Sequence, residues 1–125
     1  MLARLPQPQT QISPKVALDA LERVADRWKL KQQDLPALLG TSPRTVRAWY
    51  KSPPARLDRH VLERISHLLA IYNALNAIFG MPFADEWIHQ PNRAFGDRAP
   101  IELLRSGGFT ELVDIRRYLD QAMLG

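Results

Sequence analysis

Basic residues are concentrated in one short stretch of this sequence, between Gly40 and His60, where the single acidic residue is Asp58. An arginine side chain can donate two parallel hydrogen bonds to O6 and N7 of guanine, and lysine or arginine can neutralise phosphates. Arg44 and Arg47 lie three residues apart on one helical face, and we expect them to read base edges. We expect the other three residues to meet phosphates. In chain order the five are Arg44, Arg47, Lys51, Arg56 and Arg59.

A second group of side chains has the spacing that a metal site on a helix requires. His60, Glu63 and His67 follow each other at steps of three and four. A close third histidine is missing and the face borders the basic region, so two solvated histidines on a helix surface are the favoured interpretation. The adjacent carboxylates of Asp85 and Glu86 diverge on a helix, where compensation of the helix dipole explains them better than catalysis.

Nothing in the sequence supports catalysis. Cysteine is absent, which excludes thiolate nucleophiles, disulfides and cysteine metal sites. No glycine-rich phosphate loop follows a strand, because no strand is predicted. We therefore expect a protein that is not an enzyme and that holds neither a metal nor a cofactor.

The formal net charge of +4 is unevenly divided along the 125 residues. Residues 1–60 contain eleven Lys or Arg and five Asp or Glu, whereas residues 61–125 contain six and eight. This division indicates two surfaces with two different partners, although chance would produce the same division in a protein this small. No run of 18 apolar residues is present, so we expect no membrane span. Residues 1–15 contain no continuous apolar stretch, so we expect no signal peptide, and the absence of cysteine fits the expected cytoplasmic location.

The hydrophobic pattern predicts an all-α fold, since no segment alternates with period two for long enough to form a strand. Serine followed by proline marks two helix starts, at Ser13 and Ser42. The predicted helices cover residues 14–30, 35–39, 43–50, 57–79, 83–90, 100–104 and 109–124. We divide the chain into a flexible N-terminal arm (1–14), a helix-turn-helix (15–57), a long connecting or dimerisation helix (58–80) and a C-terminal domain (81–125).

The long helix allows two interpretations. Its apolar residues alternate steps of four and three, which suits a dimer contact. The stripe is also wide, which suits packing on the short helices of the same chain. The residues that define the seam are Val61, Ile65, Leu68, Tyr72, Leu75 and Phe79.

The first three predicted helices match a helix-turn-helix in size and order. Gly40 stands where the chain must turn left-handed, and Val46 and Trp49 follow at positions that point inward. The segment resembles the Xre-type helix-turn-helix, with Pro36 in place of the family's usual small residue. The residues that carry the resemblance are Gln32, Leu35, Leu38, Leu39, Gly40, Thr41, Ser42, Thr45, Val46 and Trp49.

This resemblance implies DNA binding, and the outward positions give the expected contact set. A helix-turn-helix kept only as a scaffold, with its arginines as solvated surface charge, is the alternative. The expected DNA-binding residues are Gln32, Ser42, Arg44, Thr45, Arg47, Lys51, Arg56 and Arg59.

Residues 81–125 resemble the toxin-binding domain of the MbcA/ParS/Xre antitoxins. Asp97 stands where a second glycine is common, and Ala99 replaces a usual serine or threonine. For Trp87, a core position and a toxin contact are equally open, whereas Trp28 and Trp49 are expected in the core. The matching residues are Trp87, Pro91, Asn92, Phe95, Gly96, Pro100, Leu103, Leu104, Gly107, Gly108, Val113, Leu119 and Gly125.

The resemblance implies a RES-domain toxin as partner, one that consumes NAD or transfers ADP-ribose from it. The C-terminal region would cover the toxin's active site, and the N-terminal domain, as a dimer, would bind operator DNA. The alternatives are a stand-alone repressor whose C-terminal half only mediates dimerisation, and an adaptor without DNA binding. The implied toxin-binding residues are Trp87, Asn92, Phe95, Arg98, Leu104, Arg116, Arg117, Tyr118, Leu124 and Gly125.

Overall fold

The computed structural model describes residues 13–124, which form seven α-helices and two short 3-10 turns, at Gln32–Asp34 and Arg93–Phe95. Within these residues there is no strand, so the predicted all-α fold is confirmed. The predicted flexible arm lies, for residues 1–12, outside the described residues. The helices are α1 (Pro14–Arg27), α2 (Leu35–Leu39), α3 (Pro43–Lys51), α4 (Arg59–Phe79), α5 (Phe83–Trp87), α6 (Pro100–Ser106) and α7 (Phe109–Leu124).

The predicted helix starts at Ser13 and Ser42 are confirmed, since each serine hydroxyl accepts a hydrogen bond from the N–H three residues later. Three helices are shorter than predicted. The helix α1 ends at Arg27 because Lys29 takes a left-handed conformation, with φ of 58°. The helix α4 begins at Arg59 instead of residue 57, and α5 ends at Trp87 instead of residue 90.

The long helix α4 lies at the centre of the fold, where it packs against α1, α2, α5 and α7. Most of its predicted seam is buried within the chain, at Val61, Ile65, Leu68 and Leu75. These four side chains are therefore not free to pair with a second copy, and the interpretation as packing on neighbouring helices is correct for them. Trp28 is fully buried against the same helix, with its ring 6.3 Å from that of Tyr72, as expected of a core residue.

The N-terminal helices pack directly on the C-terminal ones. The helix α2 contacts α6, and Arg105 of α6 lies 3.6 Å from the carboxylate of Asp34. In a second contact between the two halves, Arg27 of α1 forms an ion pair with Asp85 of α5 at 3.0 Å. Helix-dipole compensation alone was therefore an incomplete explanation of Asp85. Among the described helices, none combines the length and apolar character needed to cross a membrane.

Candidate binding surfaces

The third helix, α3, presents an exposed face that begins at its N-terminal cap. Val46 is buried and Trp49 is half-buried, so both point inward as predicted. The Ser42 hydroxyl accepts from the N–H of Thr45 at 3.1 Å and donates to the Thr45 hydroxyl at 2.9 Å. Because the Ser42 proton is used within the helix, the Thr45 hydroxyl is the one left to donate to a phosphate or base. Ser42 serves as the cap.

The basic side chains of this region point into solvent. Arg44, Arg47, Lys51 and Arg56 are exposed, and none of them forms an ion pair with any residue between 13 and 124. Arg59 makes only an exposed pair with Glu63, at 3.7 Å. Exposed arginines without an internal partner can bind an external anion without first breaking a contact, as expected of a DNA-binding face.

Gln32 and Pro36 flank the same face. Gln32 is exposed in the 3-10 turn before α2 and lines a shallow groove of about 410 Å³ with Pro43, Arg47 and other residues of α3. Pro36 lies in the first turn of α2, where its missing N–H leaves no hydrogen bond unmade. The proline therefore does not interrupt the motif, and Gly40 ends α2 in the left-handed conformation that was predicted, with φ of 67°.

Four aromatic rings form a contiguous cluster on the C-terminal half. Trp87 stacks on Phe79 at 6.4 Å between ring centroids and on Tyr118 at 6.1 Å. Phe95 meets Trp87 and Tyr118 edge-on, at 6.4 and 5.3 Å. All four side chains keep solvent contact, and Phe79 and Tyr118 are 43% and 38% exposed. We call these four residues the aromatic cluster.

The aromatic cluster includes one residue that the sequence analysis did not assign to the site. Phe79 was interpreted as the last position of the α4 seam, yet α4 extends past the core at that point and leaves the ring exposed beside Trp87. The position of Phe79 directly before Gly80, at the end of the helix, was the sequence signal that could have indicated its exposure. For Trp87 the two open interpretations both apply, because the half-buried ring packs on the core and still reaches the surface.

Asn92 holds the loop between α5 and α6 through both its side chain and its backbone. Its side chain accepts from the N–H of Ala94 at 2.9 Å, and its N–H donates to the carbonyl of Arg98 at 3.1 Å. Gly96 and Asp97 both take left-handed conformations, with φ of 66° and 63°. A second glycine would suit the position of Asp97 for this backbone reason, and aspartate tolerates the conformation better than most residues. Arg98 is exposed beside the loop.

Ala99, at the start of α6, is the second position where this sequence departs from the family pattern. It occupies the N-cap position, where a serine or threonine would bond the helix backbone. Alanine provides no such acceptor. The other half of a capping box is present, because the carboxylate of Glu102 accepts a hydrogen bond from the Ala99 N–H at 3.0 Å. This departure from the family pattern therefore removes a side-chain hydrogen bond from the cap of α6. Ala99 itself is buried.

Other expected toxin-binding residues have different environments. Leu104 is 4% exposed and belongs to the core, so its assignment to a binding surface was wrong: the apolar face of α6 is covered within the chain. Arg117 is exposed on α7. Leu124 is 89% exposed and is the last residue of α7. Gly125 lies outside the described residues.

Arg116 packs at the junction of α7 and α4, where one of the candidate metal ligands also lies. Its Nη1 is 3.1 Å from Nδ1 of His67, and its Nε is 3.8 Å from Asp120. Burial lowers the pKa of His67, and the Arg116 guanidinium lowers it further. His67 is thus a half-buried contact between helices and not a solvated side chain, whereas His60 is exposed as expected. Within residues 13–124 no three His, Asp or Glu side chains are grouped closely enough to hold a metal.

Two family models match the chain, and between them they cover both surfaces. The antitoxin Xre-like helix-turn-helix domain matches residues 7–70, and the antitoxin Xre/MbcA/ParS C-terminal toxin-binding domain matches residues 74–122. The chain belongs to the Xre/MbcA/ParS antitoxin family. The protein is thus the antitoxin of a toxin–antitoxin pair, with a toxin-binding domain and no enzymatic role, and the resemblance drawn from its residues is confirmed.

The antitoxin is similar to proteins from two bacterial genera. The uncharacterized protein y4oB of Sinorhizobium fredii is 35% identical over 104 residues, which cover 82% of this chain and 81% of the relative. The mycobacterial cidal antitoxin MbcA of Mycobacterium tuberculosis is 27% identical over 90 residues, or 70% of this chain and 77% of the relative.

The fold of the antitoxin is similar to that of a chain in the crystal structure of the M. tuberculosis MbcT–MbcA toxin–antitoxin complex. The TM-score is 0.50 at 25% sequence identity, over 80% of this chain and 86% of that chain. A toxin is therefore the partner of this class of protein. The matched regions meet inside α4, so that the toxin-binding domain and the helix-turn-helix share this helix.

Proposed function

We propose that this antitoxin blocks the active site of a RES-domain toxin that consumes NAD or transfers ADP-ribose from it. We further propose that it represses its own operon through the exposed face of α3. The observation that carries the first proposal is the aromatic cluster, which lies in the toxin-binding domain and keeps all four rings in contact with solvent. The second proposal rests on the exposed arginines of α3.

The aromatic cluster suits the centre of a protein–protein interface. Tryptophan and tyrosine are enriched among the residues that dominate binding energy, and rings that already pack on one another lose little conformational entropy on association. The proposed contact set consists of the cluster, including Phe95, and of Asn92, Arg98 and Arg117. Arg116 remains in the set through its exposed part, with His67 and Asp120 holding its guanidinium in position.

The end of α7 supplies the second element of the proposed blocking surface. Leu124 is exposed almost completely and precedes the final residue of the sequence, Gly125. An exposed apolar side chain at the end of a helix can enter a cleft of a partner protein, so we place Leu124 and Gly125 in the proposed contact with the toxin. Deletion of residues 123–125 should therefore weaken inhibition of the toxin's NAD consumption, and full inhibition by the shortened chain would contradict this element of the proposal.

Inhibition of the toxin tests the blocking proposal directly. The protein encoded next to this chain is tested for co-purification with it, and NAD consumption by that protein is measured with increasing amounts of each antitoxin variant. We expect Trp87→Ala and Tyr118→Ala each to raise the inhibitory concentration at least tenfold, since interface anchors of this type contribute about 2 kcal/mol or more. Tyr50→Ala, at an exposed aromatic residue of α3, is the matched control. A neighbouring protein that fails to co-purify would favour a stand-alone repressor.

The DNA-binding proposal has its own experiment, which is independent of the toxin. Binding of the promoter fragment is measured for Arg44→Ala and Arg47→Ala, each of which should lose about 1–3 kcal/mol if its guanidinium reads a guanine. Arg23→Ala, at an exposed arginine of α1, is the matched control. The proposed phosphate contacts of Lys51, Arg56 and Arg59 should appear as a steep dependence of binding on salt. Gln32 and Thr45 complete the proposed contact set with neutral hydrogen bonds to the DNA, which add nothing to that dependence. Unchanged promoter binding in the Arg44→Ala, Arg47→Ala double variant would favour an adaptor without DNA binding.

A homodimer would explain operator recognition, because two copies of α3 could then enter successive major grooves about one DNA turn apart. The protected region of the promoter should accordingly contain a palindrome. Sedimentation of the antitoxin, alone and with the promoter, measures the number of copies. One copy bound to a single half-site would contradict the proposed dimer.

A further inference from the structure

A groove of about 270 Å³ opens between α1 and the inner side of α3, and neither proposed surface uses it. Its floor is apolar and includes Leu18, Leu39 and Val46. One rim carries Trp49 and Tyr50 of α3, with Pro53 just beyond the helix, and the opposite rim carries Asp19 and Glu22 of α1. The groove therefore joins an aromatic wall and an acidic wall over an apolar base.

We propose that this groove binds the chain's own N-terminal segment, residues 1–12, through the stretch Arg4, Leu5, Pro6, Gln7 and Pro8. The connection to the groove is short. The helix α1 begins at Pro14, and Lys15 and Leu18, from its first turns, already line the groove. From Ser13 to Glu22 the groove follows α1 for about 14 Å at 1.5 Å per residue. Five extended residues at about 3.1 Å each cover that distance.

The chemistry of the segment fits the aromatic wall. Proline-rich segments bind aromatic-lined grooves because the extended polyproline conformation is preformed and loses little entropy on binding. Pro6 and Pro8 are two residues apart, with Leu5 beside them as an apolar side chain for the floor. Trp49 is half-buried and Tyr50 is exposed, so both rings have solvent-accessible surface that the segment can contact.

The charges are complementary as well. Arg4 carries the single charged side chain among residues 1–12. On the acidic wall, Asp19 is already paired with Lys15 at 2.8 Å. Glu22 forms no ion pair within residues 13–124, which leaves it as the partner for Arg4. Burial raises the pKa of Tyr50, a hydrogen bond with Gln32 opposes this shift, and the nearby carboxylates of Glu22 and Asp26 raise the pKa further.

A short covalent connection makes even weak binding effective. A segment joined by a few residues has an effective concentration of about 1 mM, so that a dissociation constant of about 0.1 mM for the separate peptide leaves the groove about tenfold more occupied than empty. Because the groove has one wall from α1 and one from α3, the bound segment would hold α3 against α1. The proposal does not depend on the identity of the toxin or of the operator.

The indole N–H resonances of the three tryptophans provide the test, in a chain labelled with ¹⁵N. We compare the full chain with a variant that lacks residues 2–11 and keeps the Ser13 cap. The Trp49 resonance should shift on deletion and return toward its original position as a synthetic peptide of residues 1–12 is added. Trp28, which is fully buried, reports whether the shortened chain remains folded, and Trp87 reports on the distant aromatic cluster.

Matched peptides and one charge exchange separate this contact from unspecific effects. A peptide with Arg4→Glu, and one with Pro6→Ala and Pro8→Ala, should each bind at least fivefold more weakly. In the full chain, Glu22→Arg should shift the Trp49 resonance toward that of the shortened chain, and Arg4→Glu in the same chain should reverse the shift.

Two results would overturn the proposal. One is a Trp49 resonance that is the same with and without the segment, in a chain whose Trp28 resonance shows that it is folded. The other is a labelled shortened chain whose Trp49 resonance returns when unlabelled full chain is added at equal concentration. In that case the groove is filled by the segment of a second copy.

Discussion

The Nη1 atom of Arg64 donates a hydrogen bond to the main-chain carbonyl of Ala37, at 3.3 Å. Arg64 belongs to α4 and Ala37 to α2, so this bond joins the central helix to the helix-turn-helix. The same guanidinium lies over the ring of Phe109, 5.8 Å from its centroid, at the start of α7. One side chain therefore connects the helix-turn-helix to the helix that carries Tyr118 of the aromatic cluster.

Arg64→Ala should lower the free energy of unfolding by about 1–3 kcal/mol, because it removes a hydrogen bond from a charged donor and a cation–π contact at a half-buried site. Urea denaturation followed by circular dichroism measures the change. Arg59→Ala is the matched control, since Arg59 lies on the same helix and makes only a solvent-exposed ion pair. Equal effects of the two substitutions would show that Arg64 is no more than a surface charge.

Gly40→Ala should destabilise the protein more than Gly96→Ala. Both glycines have left-handed backbones, with φ of 67° and 66°, so both substitutions carry the conformational cost of about 1 kcal/mol or more. Only at Gly40 would the new Cβ also stand 2.6 Å from Nε of Arg64, whereas at Gly96 no heavy atom lies within 4 Å.

A double-mutant cycle isolates this steric contribution. The excess cost of Gly40→Ala over Gly96→Ala should largely disappear in an Arg64→Ala background, because the obstructing side chain is then absent. Thermal or urea unfolding of the unsubstituted chain and the five variants provides the values. An excess that persists without the Arg64 side chain would mean that the backbone, and not the contact, causes it.

His67 should make the stability depend on pH. Burial and the Arg116 guanidinium lower the pKa of His67 in the folded state, so the unfolded chain binds the proton more readily. The stabilising contribution is present above the unfolded pKa of about 6.5 and is lost as the pH falls from there toward the lower, folded pKa.

His67→Gln should therefore flatten the change in the free energy of unfolding between about pH 7 and pH 5, as measured by urea denaturation at each pH. His60→Gln is the matched control on the same helix, because His60 is exposed. If the pH dependence of the free energy of unfolding is unchanged by His67→Gln and reduced by His60→Gln, the assignment of this dependence to His67 is contradicted.

Lys29→Gly should stabilise the protein by about 0.5–1 kcal/mol. Lys29 follows the cap of α1 with φ of 58°, and the N–H of Leu30 donates to the carbonyl of Ala25 at 2.8 Å, the Schellman arrangement in which glycine is favoured. Lys31 has φ of −99°, so Lys31→Gly is the control and should lower the stability. Melting temperatures of the two variants decide the matter: a lower value for Lys29→Gly would contradict the prediction.

Local signals in the sequence determined most of the helix order. Serine caps at Ser13 and Ser42 and the turn at Gly40 are decided within a few residues, because the groups that cap a helix are neighbours in the chain. The same local pattern sufficed for the inward position of Val46 and for the outward positions of Arg44 and Arg47. The fixed spacings of the C-terminal half were enough to place the chain in its family.

The contacts between distant segments were decided only by the tertiary structure. Hydrophobic periodicity shows which face of a helix is apolar, but it does not show which neighbour covers that face or where the cover ends. Leu104 and Phe79 both read as parts of apolar patterns, yet α6 is covered by the core and the last turn of α4 is not. The hydrogen bond from Arg64 to Ala37 joins residues 27 positions apart. It exists because α4 packs across α2, an arrangement that the spacing of neither helix specifies.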